Sequence, residues 1–297
     1  MEGTGPVELT REVNGAPAHF VEEGAGPSLL FVHDLMESLV AFGPLVHELG
    51  PRYRKVLVDL PGLGKTPVPE GWDYTLASYG AFLNGALRES ACRDTTLILH
   101  GFGVLVGLEA LSVEAGEASR RVSRVVLLNG PLYDDDSASV LSFLKRGPFE
   151  ALTSAPPMDL GTYRRLVLKR FGDPTYFDEG QVEDLYHGWG RHGPSTVRAV
   201  ARHLPELREA LPRLRSSLSK WGGPVYVYWG EDDPFLGSEA AHRLGREVRR
   251  AKVLIFPEVG YLPHEEAPRS ISDHLRKVVR VARPRALPPG PSAPPVA

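Results

Sequence analysis

A chain of 297 residues, 42% hydrophobic and 24% charged, has enough apolar surface for one large core and the composition of an ordinary folded domain. Its net charge of -3 gives nothing that favours nucleic acid or an anionic membrane as partner. A lone cysteine, Cys92, excludes an internal disulfide and any multi-cysteine metal site, and fits a reducing, cytoplasmic setting.

The first residues lack the basic start and apolar run of a signal peptide, and no stretch of about 18 apolar residues reads as a membrane span. Residues 8–13 and 19–22 read as an antiparallel hairpin at one edge of a sheet. Short β-branched runs then predict strands at 28–33, 55–59, 96–100, 124–128, 225–229 and 252–256. They are apolar almost throughout, as strands covered on both faces are. Amphipathic stretches at 39–49, 76–88, 104–115, 237–250 and 269–281 predict helices between or after them. The alternation implies a doubly wound, mostly parallel α/β sheet.

The alternation stops between 132 and 221, where the sequence is polar, helical and interrupted by prolines at 148, 156, 157, 174, 194, 205 and 212. This predicts a helical cap over 132–221, inserted into a core made of 1–131 and 222–282. The remainder, 283–297, is Pro-rich, too poor in apolar side chains to pack, and is expected to be disordered.

Four local patterns carry a family resemblance. They are NGAPAHFVEEGAGPSLLFVHD at 14–34, DLPGLGKT at 59–66, LILHGFGVLVG at 97–107, and the pair WGEDDP at 229–234 and GYLPHEEAP at 260–268. In this order they resemble the α/β-hydrolase superfamily over roughly residues 14 to 275. The resemblance implies an α/β-hydrolase fold with a catalytic triad at the carboxyl edge of the sheet. It also settles the Gly-Lys-Thr at 64–66, which lacks the spacing of a phosphate-binding loop, as a structural turn.

Carried over residue by residue, the resemblance places this chain off the family pattern. The nucleophile elbow falls on Leu99-His100-Gly101-Phe102-Gly103, so the serine position is Gly101. A glycine carries no nucleophile and forms no covalent ester intermediate. The base position, fixed by the downstream His264, Glu266 and Pro268, is Tyr261, and a phenol titrating near pH 10 is a poor base at neutral pH. The acid survives as Asp233, which without histidine is expected to accept a hydrogen bond from Tyr261. The oxyanion loop reads His33-Asp34 in place of His-Gly. A carboxylate aimed inward would oppose a developing anion, although a surface-facing Asp34 would not. The N–H groups of Leu35 and Phe102 remain as an anion-accepting pair.

Loss of either serine or histidine from such a triad costs on the order of a millionfold in turnover, about as much as loss of all three. Ordinary serine-hydrolase activity is therefore not expected. Three readings follow: a pseudoenzyme binding a small apolar molecule or a protein partner; a lyase, isomerase or cyclase using Asp34, Tyr261 and Asp233 in the same pocket; and a scaffold engaging partners through its tail. His33, His100 and His264 read as structural, Cys92 as inert, Glu37, Glu70 and Asp73 as loop charges, and Asp134–Asp136 as a solvated turn. His187 and His192 are spaced only loosely like metal ligands, so neither metal nor cofactor is expected.

Overall fold

The structure is a computed structural model that describes residues 5–113, 116–134, 158–177 and 179–279. The expected tail, the part of the expected cap over 135–157 and two of the three aspartates at 134–136 lie outside the described residues.

Eight strands form one sheet in the order β1-β2-β4-β3-β5-β6-β7-β8. They are β1 Val7–Val13, β2 Ala16–Glu23, β3 Ser28–Val32, β4 Arg54–Val58, β5 Thr95–His100, β6 Val122–Leu128, β7 Val225–Gly230 and β8 Ala251–Phe256. The first two make the expected edge hairpin. Its two-residue turn is Asn14-Gly15, both with positive φ (52° and 85°), the combination that twists a tight hairpin correctly. β2 pairs antiparallel with β4, and every later pairing is parallel.

The interior strands are buried on both faces because alternate residues feed two different cores. Leu30, Val32, Leu97, Leu99, Val125, Leu127, Val225 and Val227 face one; Leu29, Phe31, Ile98, Val126, Leu128, Tyr226 and Tyr228 face the other. Helices α2 (Leu76–Glu89) and α3 (Phe102–Ser112) contribute to the first core, while α1 (Gly43–Leu49) and the C-terminal helix Pro268–Val278 contribute to the second. Short α4 (Glu117–Arg121) leads into β6.

Between β6 and β7 the described residues contain helices and no strand, as the sequence predicts. These are α5 (Leu160–Leu168), α6 (Glu179–Trp189), α7 (Gly193–Ala201) and α8 (Leu204–Trp221). Asp159 caps α5 by accepting from Thr162 N at 2.7 Å. Leu204, Leu207, Leu211, Leu214 and Leu218 form one buried stripe along α8, at the spacing of a single helical face. Arg213 of α8 pairs with Glu109 of α3 at 2.6 Å, so this helix is fastened to the layer beneath it. After β7 come α9 (Glu239–Glu247), β8, the one-turn α10 (Pro263–Glu266) and α11, the C-terminal helix already named. No helix among the described residues is long and apolar enough to cross a membrane.

The strand order reverses at β3. From β3 the chain passes to β4 on one side and later to β5 on the other, so the loops leaving β3 and β5 diverge and leave a crevice at their carboxyl ends. Gly103, in the first turn of α3, allows α3 to lie directly on β3. A methyl added there would stand 2.4 Å from the Val32 carbonyl oxygen. Gly103→Ala should therefore cost about 2 kcal/mol in urea unfolding. Gly237→Ala, where an added methyl meets nothing within 4 Å, should change stability by less than about 0.5 kcal/mol.

Candidate functional site

The crevice brings together three pieces of chain distant in sequence. One is the loop leaving β3, with His33, Asp34, Leu35 and Glu37. The second is the turn His100-Gly101-Phe102 between β5 and α3. The third is Tyr261 and His264, after β8. Arg170, two residues beyond α5, closes over them. Gly101 turns the chain with φ 56° and ψ -120°, a conformation that L side chains rarely adopt, and α3 begins at once, two residues before the expected Val104.

Asp34 points inward. It is 5% exposed; its Oδ1 accepts from Phe102 N at 2.7 Å and its Oδ2 from Arg170 Nη2 at 2.8 Å. This corrects the surface-facing alternative, and the reason is electrostatic. The first amide of α3 and a guanidinium both favour a negative charge at this point. One member of the expected anion-accepting pair, the Phe102 N–H, is thus engaged by the chain's own carboxylate. A Cβ placed on Gly101 would stand 2.3 Å from Asp34 Oδ1 and 2.5 Å from the Tyr261 hydroxyl oxygen. The space a side chain at 101 would take is filled by Asp34 and Tyr261.

Glu37, read in the sequence as a loop charge, is 1% exposed. Its Oε1 accepts from the same Arg170 Nη2 at 2.8 Å, and its Oε2 lies 2.9 Å from His100 Nδ1 and accepts from Asp34 N at 3.3 Å. Burial by itself would raise the Glu37 pKa; the charges of His100 and Arg170 instead hold it well below the usual carboxylate range. The other His100 nitrogen, Nε2, lies 2.9 Å from the Tyr261 carbonyl oxygen. Both ring nitrogens thus lie against oxygen atoms. Asp34, Glu37, Arg170 and His100 make one buried polar cluster in which the Arg170 guanidinium is shared by the two carboxylates. Burial opposes the charge on Arg170, yet the two carboxylates raise its affinity for its proton.

Tyr261 is 1% exposed, lies under the Arg170 guanidinium (4.7 Å to the ring centroid) and donates its backbone N–H to the Arg170 carbonyl at 2.7 Å. Burial, reinforced by the charge of Asp34, pushes its phenol well above the ordinary value, so it is held as a proton donor and not a base. Its hydroxyl has no hydrogen-bond partner among the described residues. The expected bond to Asp233 is absent. Asp233 instead accepts from Phe235 N at 2.8 Å, Leu236 N at 3.0 Å and Asn129 Nδ2 at 2.5 Å, because its own loop and the residue after β6 reach it first. Burial pushes the Asp233 carboxyl up to about 6 despite these bonds.

The other residues singled out in the sequence brace this centre. His33 accepts from Leu60 N at Nε2 (3.0 Å) and so carries its proton on Nδ1, directed at the Asp34 carbonyl (2.7 Å). The Leu35 carbonyl accepts from Trp189 Nε1 at 2.7 Å and the Met36 carbonyl from the Tyr163 hydroxyl at 2.8 Å, tying the loop after β3 to α5 and α6. Asp59 holds the DLPGLGKT turn by accepting from Leu39 N and Lys65 N, each at 2.9 Å. His264 is fully buried, its ring 4.4 Å from that of His100, with burial and then His100 pushing its imidazole well below the ordinary value. Arg170 was missed in the sequence. It stands in an arginine-rich helical stretch, and nothing local sets it apart from Arg164 and Arg165, which are ion-paired or hydrogen-bonded at the surface.

Comparison with known proteins places this geometry in context. A family model described as "Alpha/beta hydrolase family" matches residues 28–273. The chain is 23% identical over 284 residues to the uncharacterized hydrolase YugF of Bacillus subtilis, covering 94% of this chain and all of that one. It is 24% identical to the cis-3-alkyl-4-alkyloxetan-2-one decarboxylase of Shewanella oneidensis, over 89% of this chain and 85% of that one. Among solved structures, the 2-hydroxy-6-oxo-6-phenylhexa-2,4-dienoate hydrolase of Rhodococcus sp. strain RHA1 superposes with a TM-score of 0.76 at 17% identity, over 93% of this chain and 99% of that one. The last likeness is one of fold.

Two measurements probe the electrostatics. Arg170→Met leaves two carboxylates buried without a guanidinium and should cost about 3–5 kcal/mol at pH 7 in urea unfolding. Part of that loss should return as the pH falls toward 4, since the unpaired carboxylates then take up protons more readily in the folded state. Asp233 binds its proton more tightly folded (about 6) than at its ordinary value of 3.8. Its contribution to stability therefore falls as the pH rises between those values, by about 3 kcal/mol. Asp233→Asn should flatten the stability-versus-pH curve in that window.

Proposed function

The chain belongs to the alpha/beta hydrolase family, and from that premise we propose that it is a member that works by binding and not by hydrolysis. The observation that carries this reading is the Asp34 carboxylate, which accepts the Phe102 N–H at 2.7 Å and stands where a side chain at position 101 would begin. In an acyl-transfer enzyme of this fold that amide polarises the substrate carbonyl and a nucleophile occupies the turn. Here the amide is spent on an internal anion, the turn carries Gly101, and the base position holds Tyr261, a phenol that keeps its proton. Asp233 remains with no imidazole to orient. The helices between β6 and β7 serve as the cap of the hydrolase core, and the ligand is a small, largely apolar molecule or a protein partner. The lone, buried Cys92 fits a cytoplasmic protein.

A second reading rests on the Tyr261 hydroxyl. It is buried, has no partner among the described residues, and converges with Asp34 on Gly101. A proton donor held beside a carboxylate suits a non-hydrolytic step such as a lyase, isomerase or cyclase reaction. The 24% identity to a cis-3-alkyl-4-alkyloxetan-2-one decarboxylase makes a dialkyl β-lactone the substrate class to try. Loss of carbon dioxide from such a lactone, abolished by Tyr261→Phe, would favour this reading over the first.

The decisive assay is a panel of short- and medium-chain esters. The natural protein should be silent. So should Gly101→Ser/Tyr261→His, because the new Cβ meets the Asp34 carboxylate. Adding Asp34→Gly clears that space and frees the Phe102 amide, and the triple variant should show ester turnover at least tenfold above background. Ordinary enzyme rates from the natural protein would end the first reading.

A further inference from the structure

We propose that Glu37, His100 and His264 form a binding site for one divalent transition-metal ion of the zinc class. The inference is independent of the binding-protein reading and rests on different atoms. One ligand atom from each residue lies within 4.8 Å of the others, and all three residues are buried. No metal is expected from the sequence because the three ligands come from separate parts of the chain: the loop after β3, the end of β5 and α10.

His264 is the observation that calls for a ligand. It is fully buried, and neither ring nitrogen has a hydrogen-bond partner among the described residues. Burying a polar ring without a partner is costly, and side chains so placed are uncommon. The Nε2 of His264 stands 3.8 Å from Glu37 Oε2. The Nδ1 of His100 stands 2.9 Å from the same oxygen. Two ligands about 2 Å from a tetrahedral ion are themselves about 3.3 Å apart, and both of these separations lie within about half an ångström of that value.

The surroundings are those of a metal site. His100 Nε2 is directed at the Tyr261 carbonyl, which fixes the ring and leaves Nδ1 turned to Glu37. Arg170 holds the other Glu37 oxygen, orienting the carboxylate while staying paired with Asp34. Two imidazoles and one carboxylate select zinc, cobalt or nickel over calcium or magnesium. Bound there, the ion would tie the loop after β3, the turn after β5 and α10 into one unit.

The test uses the full chain without an affinity tag, freed of metal by dialysis against a chelator and titrated with Zn2+ and with Co2+. One equivalent should bind per chain by elemental analysis, and the Co2+ form should show visible d–d absorption. Thermal unfolding should rise by about 5 °C when free metal is about 100 times Kd. His264→Gln should weaken binding at least tenfold, while His187→Gln should leave it unchanged. If His264→Gln does not fold, His264→Phe, which fills the same space, replaces it. Sub-stoichiometric metal with no thermal shift in the natural protein overturns the proposal. So does unchanged binding in the His264 variant, and if neither His264 variant folds, a Co2+ complex without imidazole-type absorption does the same.

Discussion

A single guanidinium nitrogen, Arg170 Nη2, donates to Asp34 Oδ2 and to Glu37 Oε1, each at 2.8 Å, in the buried interior of the protein. Two carboxylates this deeply buried are tolerable only if cations are buried with them. Arg170 supplies one to both carboxylates, and His100 lies against Glu37. Because the four groups come from the loop after β3, the end of β5 and the segment after α5, the requirement for charge balance fixes the positions of all three. The ring of Tyr261 under the same guanidinium and its backbone N–H on the Arg170 carbonyl bring in a fourth segment.

The sheet explains why this happens where it does. Reversal of strand order between β4-β3 and β3-β5 opens the loops at their carboxyl ends. In this family that crevice is where a substrate carbonyl meets a nucleophile and two amides. The physical chemistry of the turn survives here: a positive-φ residue after β5, a helix starting directly behind it, and a first-turn N–H with no acceptor inside the helix. What has changed is the anion presented to that amide. A side chain on the neighbouring loop delivers it permanently, at the end of a helix whose dipole favours it.

The same substitution orders the titrating groups. Tyr261 faces Asp34 in a dry environment and keeps its proton; Glu37 faces His100 and Arg170 and gives its proton up; Asp233, held by three N–H donors but deeply buried, is left near pH 6. A hydrolase triad needs a base near neutrality beside a nucleophile. Here the Asp233 carboxyl, raised to about 6 by burial, is bonded to Asn129 and its own loop and not to a base.

The sequence by itself determined the architecture. Continuous apolar runs separated by amphipathic stretches specify a doubly wound sheet because each interior strand must satisfy a core on either face, and the Asn14-Gly15 turn, the strands and the helical interruption before β7 follow from local patterning. It also determined which residues occupy the turn after β5 and the loop after β8, Gly101 and Tyr261, since these are read off motifs with fixed spacing. Only the tertiary structure decided where Asp34 points, because that depends on a cation from α5's far end, and Arg170 is indistinguishable in sequence from its surface neighbours. Glu37 and His264 stayed unread for the same reason. A charge or an imidazole is a loop residue or a buried ligand according to what packs against it, and those partners lie more than 60 residues away in the chain. The partner expected for Asp233 was Tyr261, but Asn129 and the loop after β7 reach its carboxylate and the Tyr261 hydroxyl does not.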